Sequence, residues 1–233
     1  MGKLEKLFDV EKPVIGMIHL AGRDREEKID RALRELKIYE EEGVSGAIVE
    51  DYHGSMDEIN EAMERISRED FDVVVGVNCL RKPWHSVNIS YGNGGRFVQY
   101  DSIQGDKFNP NLETFGQFVL GGVGFKYQPD SGNSLKYDLV EGMSRCDAIV
   151  TTGDGTGIET PISKLKKYKE IIVDFPLIVG AGLNFGNVYD SLKVADGGIV
   201  GSCFKPRGDT SAEVDRRLVR KFMEPVFEVR EAA

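Results

Sequence analysis

Six ionisable side chains, His19, Glu50, Asp51, Asp101, Lys126 and Asp154, and the hydrogen-bonding amide Asn78 stand at the ends of short apolar runs. A histidine such as His19 can accept or deliver a proton near neutral pH, or simply sit hydrogen-bonded in place. Glu50 and Asp51 are adjacent, and side chains alternate along a strand, so only one of them faces inward. Glu50 is taken as that one, with Asp51 meeting the helical layer. Either carboxylate could instead be a solvated rim group or a helix-cap partner. If the apolar runs close into a ring, Asp154 lies across from His19 and the two make an acid–base pair. Lys126 could stabilise an enolate or form a Schiff base if burial lowered its pKa; between Phe125 and Tyr127 it could equally snorkel to the rim. His19, Glu50, Asp51 and Asp154 offer oxygen and nitrogen to a metal, but they match no ligand motif, and neither a metal nor a cofactor is expected.

A second chemical signal comes late in the chain. The runs "PLIVGAGLNFGNV" (176–188) and "ADGGIVGSCFK" (195–205) both end in small residues just before a polar stretch. Only small residues let a backbone approach an anion closely enough for its N–H groups to bond it. Gly180, Gly182, Asn184, Gly201 and Ser202 are therefore the candidate phosphate-binding residues, unless the glycines merely relieve crowding at a rim. Lys205 and Arg207, just beyond, suit the outer face of a bound phosphate or ordinary surface ion pairs.

Positioning such groups requires a repeating frame. The apolar runs 13–20, 46–51, 72–80, 96–103, 121–128 and 147–153, and those within 176–188 and 195–205, read as strands, the one at 121–128 glycine-rich and weak. Helical patterns fall between them. At 25–42, Ile29, Leu33, Leu36 and Ile38 form a stripe that Gly43 ends. At 55–66, Ser55 and Glu58 read as a capping box. Further helices are read near 83–91, at 134–145, at 160–172 with Thr160 as N-cap and Pro161 first, at 186–194 and at 211–229. Strands joined by helical crossovers run parallel. Eight such units in 233 residues average about 29 each, near the compact end of the (β/α)8 range. The fold class is α/β, a single (β/α)8 TIM barrel over residues 1–233. A doubly wound sheet fits less well, because "GDGTG" (153–157) comes late and lacks the dinucleotide spacing. In such a barrel, catalytic groups sit on the loops after the strands, and a phosphate is commonly held after strands seven and eight.

Composition narrows the partners. Hydrophobic residues make up 40% of the chain, and 39 acidic against 30 basic residues give a net charge of −9. That surface repels phosphate backbones and anionic lipid, so no nucleic acid is expected. No apolar run reaches the roughly 18–20 residues of a membrane span, and the start, "MGKLEKLFDVEKP", has no signal-peptide core. Cys79, Cys146 and Cys203 match no metal or disulfide spacing. A cytoplasmic location is expected, and barrels of this size leave a homodimer open.

The segments "KPVIGMIHL", "GVSGAIVED", "VGVNCLR", "DAIVTTGDGTG", "LIVGAGLNFGNV" and "ADGGIVGSCFK", in this order, resemble the BtpA/SgcQ family of (β/α)8 proteins. The resemblance covers most of the chain. It implies a small phosphate-binding barrel, similar in general form to phosphoribosylanthranilate isomerase and the tryptophan synthase α-subunit. That isomerase places its base and acid on the first and sixth strands, with a cysteine on the first where this chain has His19. The family name comes from a role in photosystem I accumulation, with no reaction attached. The middle of the chain departs from the family: "VQYDSIQGD" (98–106) replaces a polar valine–asparagine stretch, and Tyr127 rather than histidine follows Lys126. The connection "KFNPNLETFGQFVLGG" (107–122) also looks shorter.

Together these readings lead to an enzyme acting on a phosphorylated small molecule, a sugar phosphate or phosphoribosyl compound. The chemistry would be of isomerase or lyase type, by proton transfer, with His19, Asp154 and one of Glu50 or Lys126 as acid and base. The alternative is a non-catalytic assembly or regulatory factor that works through protein partners.

Overall fold

The structure is a computed structural model and describes residues 2–105 and 114–232. Its strands are β1 (Val14–Ile18), β2 (Gly46–Glu50), β3 (Val74–Asn78), β4 (Phe97–Tyr100), β5 (Phe118–Gly122), β6 (Ala148–Thr151), β7 (Leu177–Val179) and β8 (Gly197–Val200). A helix α1 (Lys3–Phe8) precedes β1. After the strands come α2 (Arg25–Glu41), α3 (Met56–Ile66), α4 (His85–Gly92), α5 (Leu135–Met143), α6 (Ile162–Ile172), α7 (Val188–Val194) and α8 (Arg216–Glu231). All eight strands pair in parallel in chain order. β8 returns to β1, with Val14 opposite Gly198 and Gly16 opposite Val200, so the sheet closes on itself. The expected single (β/α)8 TIM barrel is what forms. The connection thought to be shortened (107–122) begins at residues outside the described ones.

Alternation along the strands sorts the core into two layers. Ile15, Met17, Ile48, Phe97, Leu120, Ala148, Val150, Ile178 and Ile199 fill the barrel. The intervening Val49, Val77, Val98, Val119, Ile149, Leu177 and Val200 face the helices. Gly16 faces outward because nothing larger fits: a Cβ there would lie 2.5 Å from the Tyr39 ring of α2. The Tyr39 hydroxyl donates to the Met17 carbonyl at 2.8 Å, fastening that helix to β1.

Three local readings are corrected and one is refined. Helix α1 was not read from the sequence; its Leu4 and Phe8 belong to the interior cluster, with the Phe8 ring 5.5 Å from Phe97. It therefore closes the N-terminal end of the barrel. The fifth strand lies at Phe118–Gly122, not 121–128, because Gly124 at φ +58° turns the chain out of the sheet. Ser55 caps α3 by accepting from the Glu58 amide, as read, and the Glu58 carboxylate, which the Ser55 backbone also stabilises, takes Lys28 Nζ at 3.0 Å as well. Thr160 is not a cap. Pro161 holds that position, and the Thr160 hydroxyl donates to the Ala181 carbonyl at 3.1 Å.

Candidate active site

The same alternation that fills the barrel decides what its upper rim presents. Two residues on from the interior Met17 stands His19, and two on from Ile48 stands Glu50; Phe97 is followed in phase by Gln99 and Asp101. On the other half of the ring the in-phase residues are small: Thr152 after Val150, Gly180 after Ile178, Gly201 after Ile199. These two halves face one cleft of about 140 Å3, floored by Met17, Phe125 and Ile199.

The polar half is a connected network. Asn78 Nδ2 donates to Glu50 Oε1 and to Asp101 Oδ1, both at 3.0 Å, and Gln99 Nε2 donates to the same Asp101 oxygen at 3.0 Å. Glu50 is 6% exposed. Burial foremost, then the neighbouring Asp101 charge, pushes its carboxyl up to about 8 against the opposing pull of Lys126 and the Asn78 hydrogen bond. Near neutral pH Glu50 therefore carries a proton, beside the Asp101 side chain with which it shares Asn78. Asp51, as expected for the outward position, accepts from the Leu80 amide at 2.7 Å and pairs with Arg81 at 3.2 Å.

His19 lines the cleft between the halves, its ring 5.2 Å from that of Tyr52. Burial foremost, then the charges of Lys205, His53 and Lys126, pushes the imidazole well below its usual 6.5, so it is neutral. Its buried Nδ1 meets no hydrogen-bond partner among the described residues. Lys126 reaches the cleft from the loop after β5, with its Nζ 3.3 Å from the Thr156 hydroxyl and its amide bonded to Thr152 Oγ1 at 2.7 Å.

The small-residue half brings the two late turns together. A Cβ on Gly182 (φ +76°) would fall 2.0 Å from the Ile158 carbonyl, and one on Gly157 would fall 3.6 Å from Ser202 Oγ. The loop after β6 thus bridges the turns after β7 and β8. Among the described residues, no protein oxygen takes the amides of Gly182 or Gly201. Gly201 also makes room for His19, whose Cε1 lies 3.1 Å from where a Cβ would be.

Several expected site residues are not where the sequence reading put them. Asp154 is exposed and does not line the cleft. Strand β6 ends at Thr151, three residues before Asp154, and the chain bends at Asp154 and Gly155 outside the regular strand. The amide of Gly180 is spent on the Thr151 carbonyl at 2.7 Å, and its missing side chain makes room for Val150, so it is a packing glycine. Asn184 donates its amide to Asn187 Oδ1 at 2.8 Å and stays out of the cleft. Lys205 is buried rather than presented to solvent, its Nζ on the Ala212 carbonyl at 3.0 Å and on Glu35 at 3.3 Å. With Asp51 turned outward and Asp154 exposed, the metal grouping weighed from the sequence is broken up. Among the described residues no three or more His, Cys, Asp or Glu are placed to hold a metal ion.

Gln99 enters the site without having been chosen from the sequence, Asn78 and Asp101 were named there without a role, and Asp101 takes the carboxylate place assigned to Asp154. Strand parity counted from Phe97 would have found Gln99 and Asp101. Tyr52, Thr156 and Thr210 line the cleft from loops and carried no periodic signal. No helix among the described residues is long and apolar enough to cross a membrane.

Comparison with known proteins agrees with the barrel. In solved structures, thiamine phosphate pyrophosphorylase from Pyrococcus furiosus superposes with a TM-score of 0.66 at 16% identity, covering 97% of this chain and 99% of that one. Phosphoribosyl anthranilate isomerase from Thermococcus kodakaraensis gives 0.62 at 16% identity, covering 92% and 98%. The 2-keto-3-deoxy-6-phospho-gluconate aldolase from Zymomonas mobilis gives 0.65 at 13%, covering 95% and 94%. At these identities the likeness is one of fold. By sequence, the uncharacterized protein MJ1115 of Methanocaldococcus jannaschii is 27% identical over 91% of this chain and 94% of its own length. The putative sgc region protein SgcQ of Escherichia coli is 24% identical over 99% and 100%, and the photosystem I biogenesis protein BtpA of Synechocystis is 24% identical over 97% and 91%. The model of the BtpA family matches residues 130–228. The chain is thus a relative of the BtpA and SgcQ proteins, alike along nearly its whole length and matching their family's pattern through the second half of the barrel.

Proposed function

We propose that this protein is an enzyme acting on a phosphorylated small molecule, a sugar phosphate or phosphoribosyl compound, by isomerase- or lyase-type proton transfer. The observation that carries the reading is the division of one cleft into two chemistries. On the β7–β8 side, the unoccupied amides of Gly182 and Gly201 and the hydroxyl of Ser202 suit phosphate oxygens, which bind to backbone donors that no protein acceptor has claimed. Across the mouth, protonated Glu50 and the Asp101 carboxylate share Asn78. A carboxylic acid beside a carboxylate can deliver one proton to a forming enolate oxygen while the other group removes one from carbon, an arrangement contributing on the order of 10²–10⁴ in rate. Lys126 adds positive charge for the same oxygen. His19, neutral, contributes a hydrogen bond rather than a charge. The structural neighbours named above all carry phosphate in their names, which supports the same substrate class.

The test is a thermal-shift screen with inorganic phosphate and pentose phosphates on the wild type and Ser202→Asp, paired with deuterium uptake into the sugar phosphate in D2O. A stabilisation lost in Ser202→Asp, and exchange lost in Glu50→Gln, is the expected result. A panel that leaves the melting point unmoved overturns the reading and leaves the partner-binding alternative, for which the exposed, stacked Tyr91 and Phe115 rings would be the place to look.

A further inference from the structure

We propose that the β4 wall of the cleft is a hydroxyl-reading subsite, with Gln99 as its specificity-determining residue. The ligand's non-phosphate end then carries hydroxyl groups and no carboxylate. The proposal deepens the function above and rests on it for the position of the phosphate.

Gln99 is 3% exposed and lines the cleft. Its amide orientation is dictated by chemistry: Asp101 can only accept, so the NH2 group must face it, as the 3.0 Å contact shows. The amide oxygen then points away from Asp101 and, among the described residues, meets no donor, although it is buried. An amide oxygen held in that state awaits a donor. Asn78 does not supply one, since both hydrogens of its Nδ2 go to Glu50 and Asp101. The hydrogens of both amides are thus turned toward carboxyl groups. What remains for a ligand is the Gln99 oxygen, the second Asp101 oxygen and the proton of Glu50.

That set selects a chemical class. A hydroxyl both donates and accepts, so adjacent hydroxyls or a hydroxyl beside a carbonyl satisfy all three. A carboxylate or a second phosphate would bring negative charge against acceptors and Asp101. An ammonium has no lone pair for the Glu50 proton and would share the cleft with Lys126. In the closed ring β4 lies opposite β8, so a ligand anchored at Gly201 and Ser202 must span the mouth to reach Gln99, and a bare phosphate ion does not.

The experiment measures binding of ribose 5-phosphate, propyl phosphate, 6-phosphogluconate, inorganic phosphate and free ribose to the wild type and Gln99→Leu. Leucine removes the bare acceptor together with the Nε2 hydrogen bond to Asp101, which keeps its Asn78 donor, so the fold of the variant is checked by circular dichroism and its melting point before binding is compared. The expected outcome is that ribose 5-phosphate binds the wild type about tenfold or more tighter than propyl phosphate, with 6-phosphogluconate weaker than ribose 5-phosphate. Gln99→Leu abolishes that tenfold advantage and leaves inorganic phosphate and propyl phosphate unchanged. An unchanged advantage in Gln99→Leu, or 6-phosphogluconate binding as tightly as ribose 5-phosphate, overturns the proposal. Free ribose separates the two readings. If no phosphorylated probe binds but ribose stabilises the wild type and not Gln99→Leu, the phosphate reading fails and the subsite stands. If ribose and every phosphorylated probe leave both proteins unmoved, the subsite fails with it.

Discussion

Replacing Glu50 by glutamine should make the protein more stable at neutral pH, and by an amount that depends on pH in a calculable way. In the folded chain the Glu50 carboxyl stands at about 8, against 4.5 in the unfolded chain. Between those values the folded state holds a proton that the unfolded state has released. Stability from this group is therefore full below about pH 4.5 and falls as pH rises through the window to about 8. The ionisation of the two states gives a penalty of about 1 kcal/mol at pH 5 and about 4 kcal/mol at pH 7.5, a change on the order of 3 kcal/mol. Glutamine keeps the shape and the acceptor for Asn78 but cannot ionise, so its advantage over the wild type should grow by that amount across the interval. Urea unfolding of both proteins at pH 5 and 7.5, followed by fluorescence and circular dichroism, reads the difference, and groups common to both cancel. Parallel pH dependence in the two proteins would show that Glu50 is ionised in the folded state. The protonated acid in the cleft would then be lost as an argument.

His19, whose pKa burial drives well below 6.5, should show a neutral ring by NMR throughout the neutral range; a midpoint at or above 6.5 would contradict its environment. Because its folded pKa is the lower one, its contribution to stability is present above 6.5 and is lost as pH falls below that value. Phe8→Ala removes a ring packed in the barrel floor against Phe97, and should cost about 3–5 kcal/mol in chemical unfolding while leaving the cleft residues in place. Glu35, 2% exposed, accepts from Arg31 at 3.1 Å, Lys205 at 3.3 Å and the Val214 amide at 3.0 Å, so Glu35→Ala strands two buried cations and should cost about 3–5 kcal/mol.

The eight-unit frame was legible because period-2 and period-3.6 patterns alternate along the whole chain and parallel pairing follows from helical crossovers. His19 and Glu50 were legible for the same reason: each ends a regular strand, and parity assigns its face. Lys205 was misjudged because a charged side chain that the fold buries on Glu35 carries no mark of burial in the sequence. Asp154 and Asn184 failed where regular structure stops. Strand β6 stops at Thr151 and the chain bends at Asp154, and Asn187 claims the Asn184 amide, and neither event leaves a periodic trace.

The amino-acid order alone therefore determined the closed barrel, the inward place of Glu50 on β2 and the glycine-rich ends of β7 and β8. Only the tertiary structure decided which glycine amides stay unclaimed, which carboxyl keeps its proton and that Gln99 faces the cleft with a bare oxygen. Those properties depend on which groups from distant parts of the chain come within about 3 Å of one another, and a one-dimensional pattern does not encode such distances.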